Sequence, residues 1–197
     1  MKIALYTVNL GDSDLIPLTC NLPKNVDAFY LTDKSAPAGW TECHIEPNGS
    51  LPTVAIAEAA KILPWVRLPN YAAYIYVDPD YVVVKDPTPL LTEDMVFVGH
   101  PNKRNASIYA KLNAQAREYM ERGVGSYPAP HVVSSILFRK HTPAMREMCL
   151  RWWNEVIYWR NWDDQIALRY ALHDQQYTVL EPEEVLDRYV SRLQRDT

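Results

Sequence analysis

Tyr71-Ala72-Ala73-Tyr74-Ile75-Tyr76-Val77-Asp78-Pro79-Asp80-Tyr81-Val82-Val83-Val84-Lys85-Asp86-Pro87 is the stretch that decides how this chain is read. An apolar, β-prone run stops abruptly at two aspartates separated by one residue, a second short β-branched run follows, and Asp86-Pro87 turns the chain. Buried strands do not normally end in two carboxylates, because an unpaired buried charge is costly. A divalent cation that neutralises them makes the arrangement favourable. Pro79 fixes φ between them and holds the two carboxylates in a set relation. The competing explanation is a tight turn between two strands, since Asp and Asn are common turn residues.

Composition sets the bounds. A length of 197 residues suits one globular domain, with 48% apolar residues to fill a core and 22% charged residues for an ordinary surface. No apolar run approaches the roughly 20 residues that span a bilayer. Met1-Lys2-Ile3-Ala4-Leu5-Tyr6 reads as a first strand without a signal-peptide cleavage pattern. Cys20, Cys43 and Cys149 are widely spaced and odd in number, so neither a zinc site nor a disulfide framework is expected, and a cytoplasmic (bacterial or phage-infected) setting is the simplest reading. A formal charge of -4 disfavours a general nucleic-acid binder, which needs concentrated Lys and Arg.

Outward from the opening stretch, strands are expected at Lys2 to Val8, Val26 to Thr32, Thr41 to Ile45, Met95 to Val98, Val132 to Phe138 and Tyr177 to Leu180. Helices are expected at Pro52 to Leu63, at Ser107 to Arg122, from Thr142-Pro143 onward, from Asp163 or Asp164 to about Leu172, and at Glu183 to Leu193. Thr142 suits an N-cap with Pro143 in the first turn, and Met145, Met148, Cys149, Trp152, Trp153 and Val156 fall on one face of the following helix. Gly123 to Pro130 reads as a loop. Strands alternating with helices predict a single α/β/α sandwich on a mixed, mostly parallel sheet.

In open α/β sheets, ligands sit outside the carboxyl ends of the strands. Four polar clusters are expected there: Asp33, Asp78 with Asp80, His100, and Arg139 to His141. Asp78 and Asp80 suit Mg²⁺ or Mn²⁺, which take oxygen ligands and nucleotide phosphates. Asp163-Asp164-Gln165 is a second centre: Asp163 suits a helix cap, which leaves Asp164 to act as a general base or to orient a sugar. Arg104 and Arg139 suit phosphate or carboxylate recognition through paired guanidinium donors. Trp162, on a loop, offers a flat face for stacking on a sugar or base.

Lys61-Ile62-Leu63-Pro64, Leu68-Pro69-Asn70-Tyr71 and Tyr74-Ile75-Tyr76-Val77-Asp78 resemble the TOD/MUCI-like glycosyltransferases, a family of GT-A-type fold. The resemblance continues through Asp86-Pro87, His100-Pro101, Arg104 and Tyr109. It is strongest in Leu137-Phe138-Arg139-Lys140-His141-Thr142-Pro143, followed by Trp153-Asn154-Glu155-Val156 and Asp164-Gln165. Where the family often follows its strand-end Asp with Gly, this chain has Pro79-Asp80, so Asp78, Asp80 or both stay open as metal ligands.

The resemblance implies a metal-dependent transferase that moves a sugar from a nucleotide-diphosphate sugar, with uridine diphosphate the expected nucleotide, to a hydroxyl acceptor. By the same analogy Tyr6, Thr7 and Asp33 lie near the base and ribose, and Lys61 faces the diphosphate. His100, Arg104, Arg139, His141, Trp162, Asp163 and Gln165 contact substrate, and His173 stands where such enzymes place a metal-binding histidine. Each has a plainer alternative: sheet residues for Tyr6 and Thr7, a turn for Asp33, a solvated helix face for Lys61, a structural role for His141 and a surface histidine for His173. Two other functions compete with transfer to a saccharide. One is a phage-type glycosyltransferase acting on modified DNA bases, favoured by a basic groove near Lys103, Arg104, Arg117 and Arg122. The other is a nucleotide-sugar-binding module without turnover.

Overall fold

The computed structural model describes residues 1–11, 16–47, 49–100, 114–123, 132–162 and 164–192. Seven strands form the central sheet: β1 (Ile3–Asn9), β2 (Val26–Thr32), β3 (Thr41–His44), β4 (Ala73–Val77), β6 (Met95–Gly99), β7 (Val132–Lys140) and β8 (Thr178–Leu180). Their spatial order is β3-β2-β1-β4-β7-β6-β8. A separate two-stranded ribbon pairs β5 (Tyr81–Val83) with β9 (Val190–Arg192). The helices are α1 (Thr53–Ile62), α2 (Pro64–Arg67), α3 (Ala114–Glu121), α4 (Pro143–Trp159), α5 (Asp164–Ala171) and α6 (Pro182–Val185). Among the described residues no helix is long and apolar enough to cross a membrane.

Burial explains the strand order. Every residue of β1 and β4 is buried, as expected for strands covered on both faces. Alternate residues of these strands feed two apolar layers. Tyr6, Tyr74 and Tyr76 face a core shared with α1, α4 and α5, whereas Leu5, Ile75 and Val77 face a second core closed by β5, β9 and α6. β1 pairs in parallel with β2 on one side and β4 on the other. The chain therefore winds outward through β2 and β3, then returns to β4 across β1. That reversal puts a topological switch point between β1 and β4, where open sheets leave a crevice at their carboxyl edge.

Local chemistry bounds the helices as expected. Thr142 accepts a hydrogen bond from the Met145 amide at 3.3 Å, Pro143 opens α4, and Met145, Met148, Cys149, Trp152 and Val156 are its buried residues. Trp153, expected on the same face, is half-buried against that core. Arg160, with φ 48°, ends α4 in the left-handed region.

Two expectations need correction. β7 runs antiparallel to both β4 and β6, so its carboxyl end lies at the opposite edge of the sheet from those of β1, β2, β4, β6 and β8. The expected terminal helix from Glu183 to Leu193 is only the four-residue α6; Leu186 is already extended, and Asp187 has φ 61°. Val190 is fully buried in the second core and β9 pairs with β5, so burial and strand pairing override the helical pattern of a polar sequence. The expected helix from Ser107 is described only over α3, and Gly123 to Pro130 lies outside the described residues beyond Gly123.

Candidate active site: four carboxyl groups and a buried lysine

The carboxyl end of β4 opens into a cleft of about 310 Å³ lined by Val8, Ala57, Glu58, Lys61, Tyr76, Asp78, Pro79 and Asp80. β1 and β4 form its floor and α1 forms its wall, which is the crevice expected at the switch point. One turn of α1 presents both Glu58 and Lys61, because residues three apart share a helix face.

Lys61 organises the charges. Its Nζ lies 2.7 Å from Asp164 Oδ2, 3.8 Å from Asp78 Oδ1 and 3.9 Å from Glu58 Oε2. It also lies 5.3 Å above the Tyr76 ring. Burial disfavours its charge, but the carboxylates of Asp164 and Asp78 outweigh that and hold its pKa above the ordinary lysine value. Asp164 begins α5 and is buried; its Oδ1 accepts a 2.7 Å bond from Ser134 Oγ of β7. Its position behind Lys61 makes it the group that fixes this ammonium in the wall of the cleft.

Three carboxyl groups around one ammonium leave surplus negative charge, and the surplus falls unevenly. Tyr76 donates a 2.7 Å bond to Asp78 Oδ1, and Ser134 supports Asp164. Glu58 Oε2 and Asp164 Oδ2 are both buried without a hydrogen-bond partner, but Asp164 lies 2.7 Å from the Lys61 ammonium and Glu58 3.9 Å. Burial, and after it the neighbouring charge of Asp164, push the Glu58 carboxyl up to about 9 against the pull of Lys61. Glu58 therefore favours its neutral acid form at pH 7. Burial likewise raises Asp78, with Asp164 and Asp80 adding to it, while Lys61 and the Tyr76 hydroxyl oppose the shift. Asp80, on the far side of Pro79, is ion-paired with Arg192 at 3.1 Å.

The structure sorts the expected site residues into three groups. Lys61, Asp78, Asp80 and Asp164 are brought together. Asp33 and His100 stand at the same edge, but each is two strands from β4, roughly 10 Å away at ordinary strand spacing. Asp33 there accepts a 3.1 Å bond from the Gly11 amide and ties the loops after β1 and β2. Gln165 and Trp162 are half-buried beside the Asp164 helix start, with Trp162 packed against the first core. Arg104 and Asp163 lie outside the described residues.

The third group consists of corrections. Arg139 is fully buried and donates to the carbonyl oxygens of Ile62 and Lys61 and to the Tyr6 hydroxyl, so it holds α1 onto the sheet and does not face substrate. Tyr6 is equally buried, and its hydroxyl donates to the Lys61 carbonyl, which leaves it no surface for a base. Thr7 is buried on the opposite face of β1 and lines a void of only about 10 Å³ with Asp78 and Tyr30. His141 stacks on Trp65, with Nδ1 3.1 Å from the Tyr71 carbonyl oxygen. It lies at the opposite end of β4 from Asp78, roughly 20 Å away along six residues of strand. His173 follows the carboxyl end of α5, about 13 Å along the helix from Asp164, and is exposed beside the Arg151–Asp174 ion pair. It cannot share a metal with Asp78. Of the basic residues proposed for a DNA groove, Lys103 and Arg104 lie outside the described residues, and Arg122 is ion-paired with Glu118.

Glu58, Tyr76, Ser134 and Arg192 belong to the site and were not singled out from the sequence. Only Glu58 had a usable signal, as the one acidic residue in the alanine-rich α1, three positions before Lys61.

Among the described residues no three His, Cys, Asp or Glu side chains form a ready-made metal cage. Asp78 and Asp80 offer two carboxylates at one cleft, which suffices for a hard cation that takes its remaining ligands from phosphates and water. No family model matches the chain, and no curated protein is similar enough to count as a relative.

Proposed function

We propose that this chain is a glycosyltransferase that binds a nucleotide-diphosphate sugar, with a uridine diphosphate sugar the expected donor, and transfers the sugar to a hydroxyl acceptor such as a saccharide. The observation that carries the reading is the position of Asp78, Asp80, Lys61 and Glu58 in one cleft at the β1/β4 switch point. The resemblance of the β4 stretch and of Asp164-Gln165 to a glycosyltransferase family points the same way.

Asp78 and Asp80 fit a Mg²⁺ or Mn²⁺ ion: both are carboxylates at the cleft, half-buried, and mutually repulsive without a cation between them. Such an ion, when bound, supplies Lewis-acid stabilisation of the departing diphosphate. Lys61 presents a fixed ammonium to the same charge, already desolvated and held by Asp164, so little reorganisation accompanies the reaction. Neutral Glu58 adds a hydrogen-bond donor for a phosphate or sugar oxygen. In transfer, the bond between the anomeric carbon and the diphosphate oxygen breaks and its electron pair leaves on the diphosphate. The acceptor oxygen forms the new bond and releases its proton to solvent at the mouth of the cleft. Asp164 acts as a positioning residue through Lys61.

Hydrolysis of a panel of nucleotide-sugars with Mn²⁺ tests the reading. Release of nucleoside diphosphate is expected from the wild-type protein, and Asp164→Asn, which frees the Lys61 ammonium that faces the diphosphate, should lower it about 100-fold and weaken donor affinity with it. Donor binding without hydrolysis or transfer to any acceptor would identify a non-catalytic binding module.

A further inference from the structure

The two aspartates of the motif have different counter-ions. Asp78 lies 3.8 Å from Lys61, whose side chain is 7% exposed and is held in place by Asp164. Asp80 is paired at 3.1 Å with Arg192, whose side chain is 71% exposed. Arg192 ends β9, where it stands opposite Tyr81 in the ribbon, with its guanidinium 6.0 Å from that ring. The Asp78 cation is therefore part of the wall, whereas the Asp80 cation can leave into solvent at small cost, since exposed ion pairs contribute little.

From this difference we infer that Arg192 is an internal substitute for the divalent cation: it neutralises Asp80 when no metal is bound and must release Asp80 for metal to bind. The inference rests on the reading of Asp78-Pro79-Asp80 as a cation site. It makes Asp80 the carboxylate exchanged between protein and metal, and it gives the β5–β9 ribbon a role at the site. Pairing with β5 sets Arg192 beside Asp80, which immediately precedes that strand, so the competitor has a fixed place although its side chain is exposed.

Mn²⁺ alone, titrated by electron paramagnetic resonance into the full chain, tests this without any turnover. Arg192→Ala should tighten Mn²⁺ binding by about two- to fivefold, the factor that corresponds to an exposed ion pair. Arg192→Lys should fall between the two, because an ammonium keeps the charge but loses the guanidinium fork. In an Asp80→Asn background, removal of Arg192 should change nothing. Equal tightening in that background would reveal a general charge effect and overturn the inference. Unchanged or weaker Mn²⁺ binding by Arg192→Ala, where the wild type binds, would overturn it while leaving the cation site standing. Absence of Mn²⁺ binding in wild type and Arg192→Ala alike would overturn both.

Discussion

Lys61 and Arg139 are both buried cations in the same core, one residue's backbone serving the other: the Lys61 carbonyl accepts from Arg139 Nη2 at 2.8 Å. Their surroundings differ in kind. Arg139 is enclosed by neutral acceptors, the Ile62 and Lys61 carbonyls and the Tyr6 hydroxyl, and faces no cleft. Lys61 is enclosed by carboxyl groups and forms the wall of one. A buried charge satisfied by neutral groups serves architecture. One held among surplus charges beside an opening is poised to meet a charged ligand.

The comparison breaks most visibly at Arg139. Arg139→Leu leaves several buried acceptors short of a donor and should cost about 3 kcal/mol or more. The loss should be the same at pH 5 and pH 8, because its oxygen partners are neutral. An unfolding free energy within about 1 kcal/mol of wild type would remove Arg139 from the architecture. Lys61→Met should cost a comparable or somewhat smaller amount at pH 8, where it strands the Asp164 and Asp78 carboxylates together. That cost should shrink toward pH 5, since Asp78, already raised by burial, takes up a proton in the folded variant and the repulsion is relieved. A pH-independent loss at Lys61 would erase the distinction between the two cations.

A smaller effect sharpens the electrostatics. The Glu58 carboxyl keeps its proton to about 9 in the folded chain and loses it near the ordinary glutamate value when unfolded. The folded state thus binds more protons through this window, so its stability falls as pH rises from about 5 to about 9 and levels off above. Glu58→Gln should flatten that slope in melting temperature between pH 6 and pH 9. An unchanged slope would mean that Glu58 is ionised at neutral pH.

Much of the site was legible where one strand or one helix carried it. The apolar run of β4 and its abrupt end at Asp78 located the carboxyl edge, and Thr142-Pro143 located the start of α4. What escaped were properties set by distant pairing. Nothing in Val132 to Lys140 says that β7 runs against β4, and that single direction moves Arg139 and His141 away from Asp78. Arg192 looked like part of a polar helix because the burial of Val190 against the second core is invisible in a local pattern. Glu58 was overlooked because a carboxyl group on a helix is usually solvated, and only the closeness of Asp164 and Lys61 makes this one unusual.

The most direct measurement is a thermal-shift titration of the full chain with uridine diphosphate and its sugars, each with and without Mn²⁺, alongside Asp80→Asn. A ligand that binds the folded chain raises its melting temperature, and the shift grows with the logarithm of its concentration above the dissociation constant. Nucleotide should shift the melting temperature by an amount that grows with Mn²⁺ and is lost in Asp80→Asn, whose unliganded melting temperature stays close to wild type. Nucleotide binding that is indifferent to Mn²⁺ and to Asp80 would contradict a cation site at Asp80.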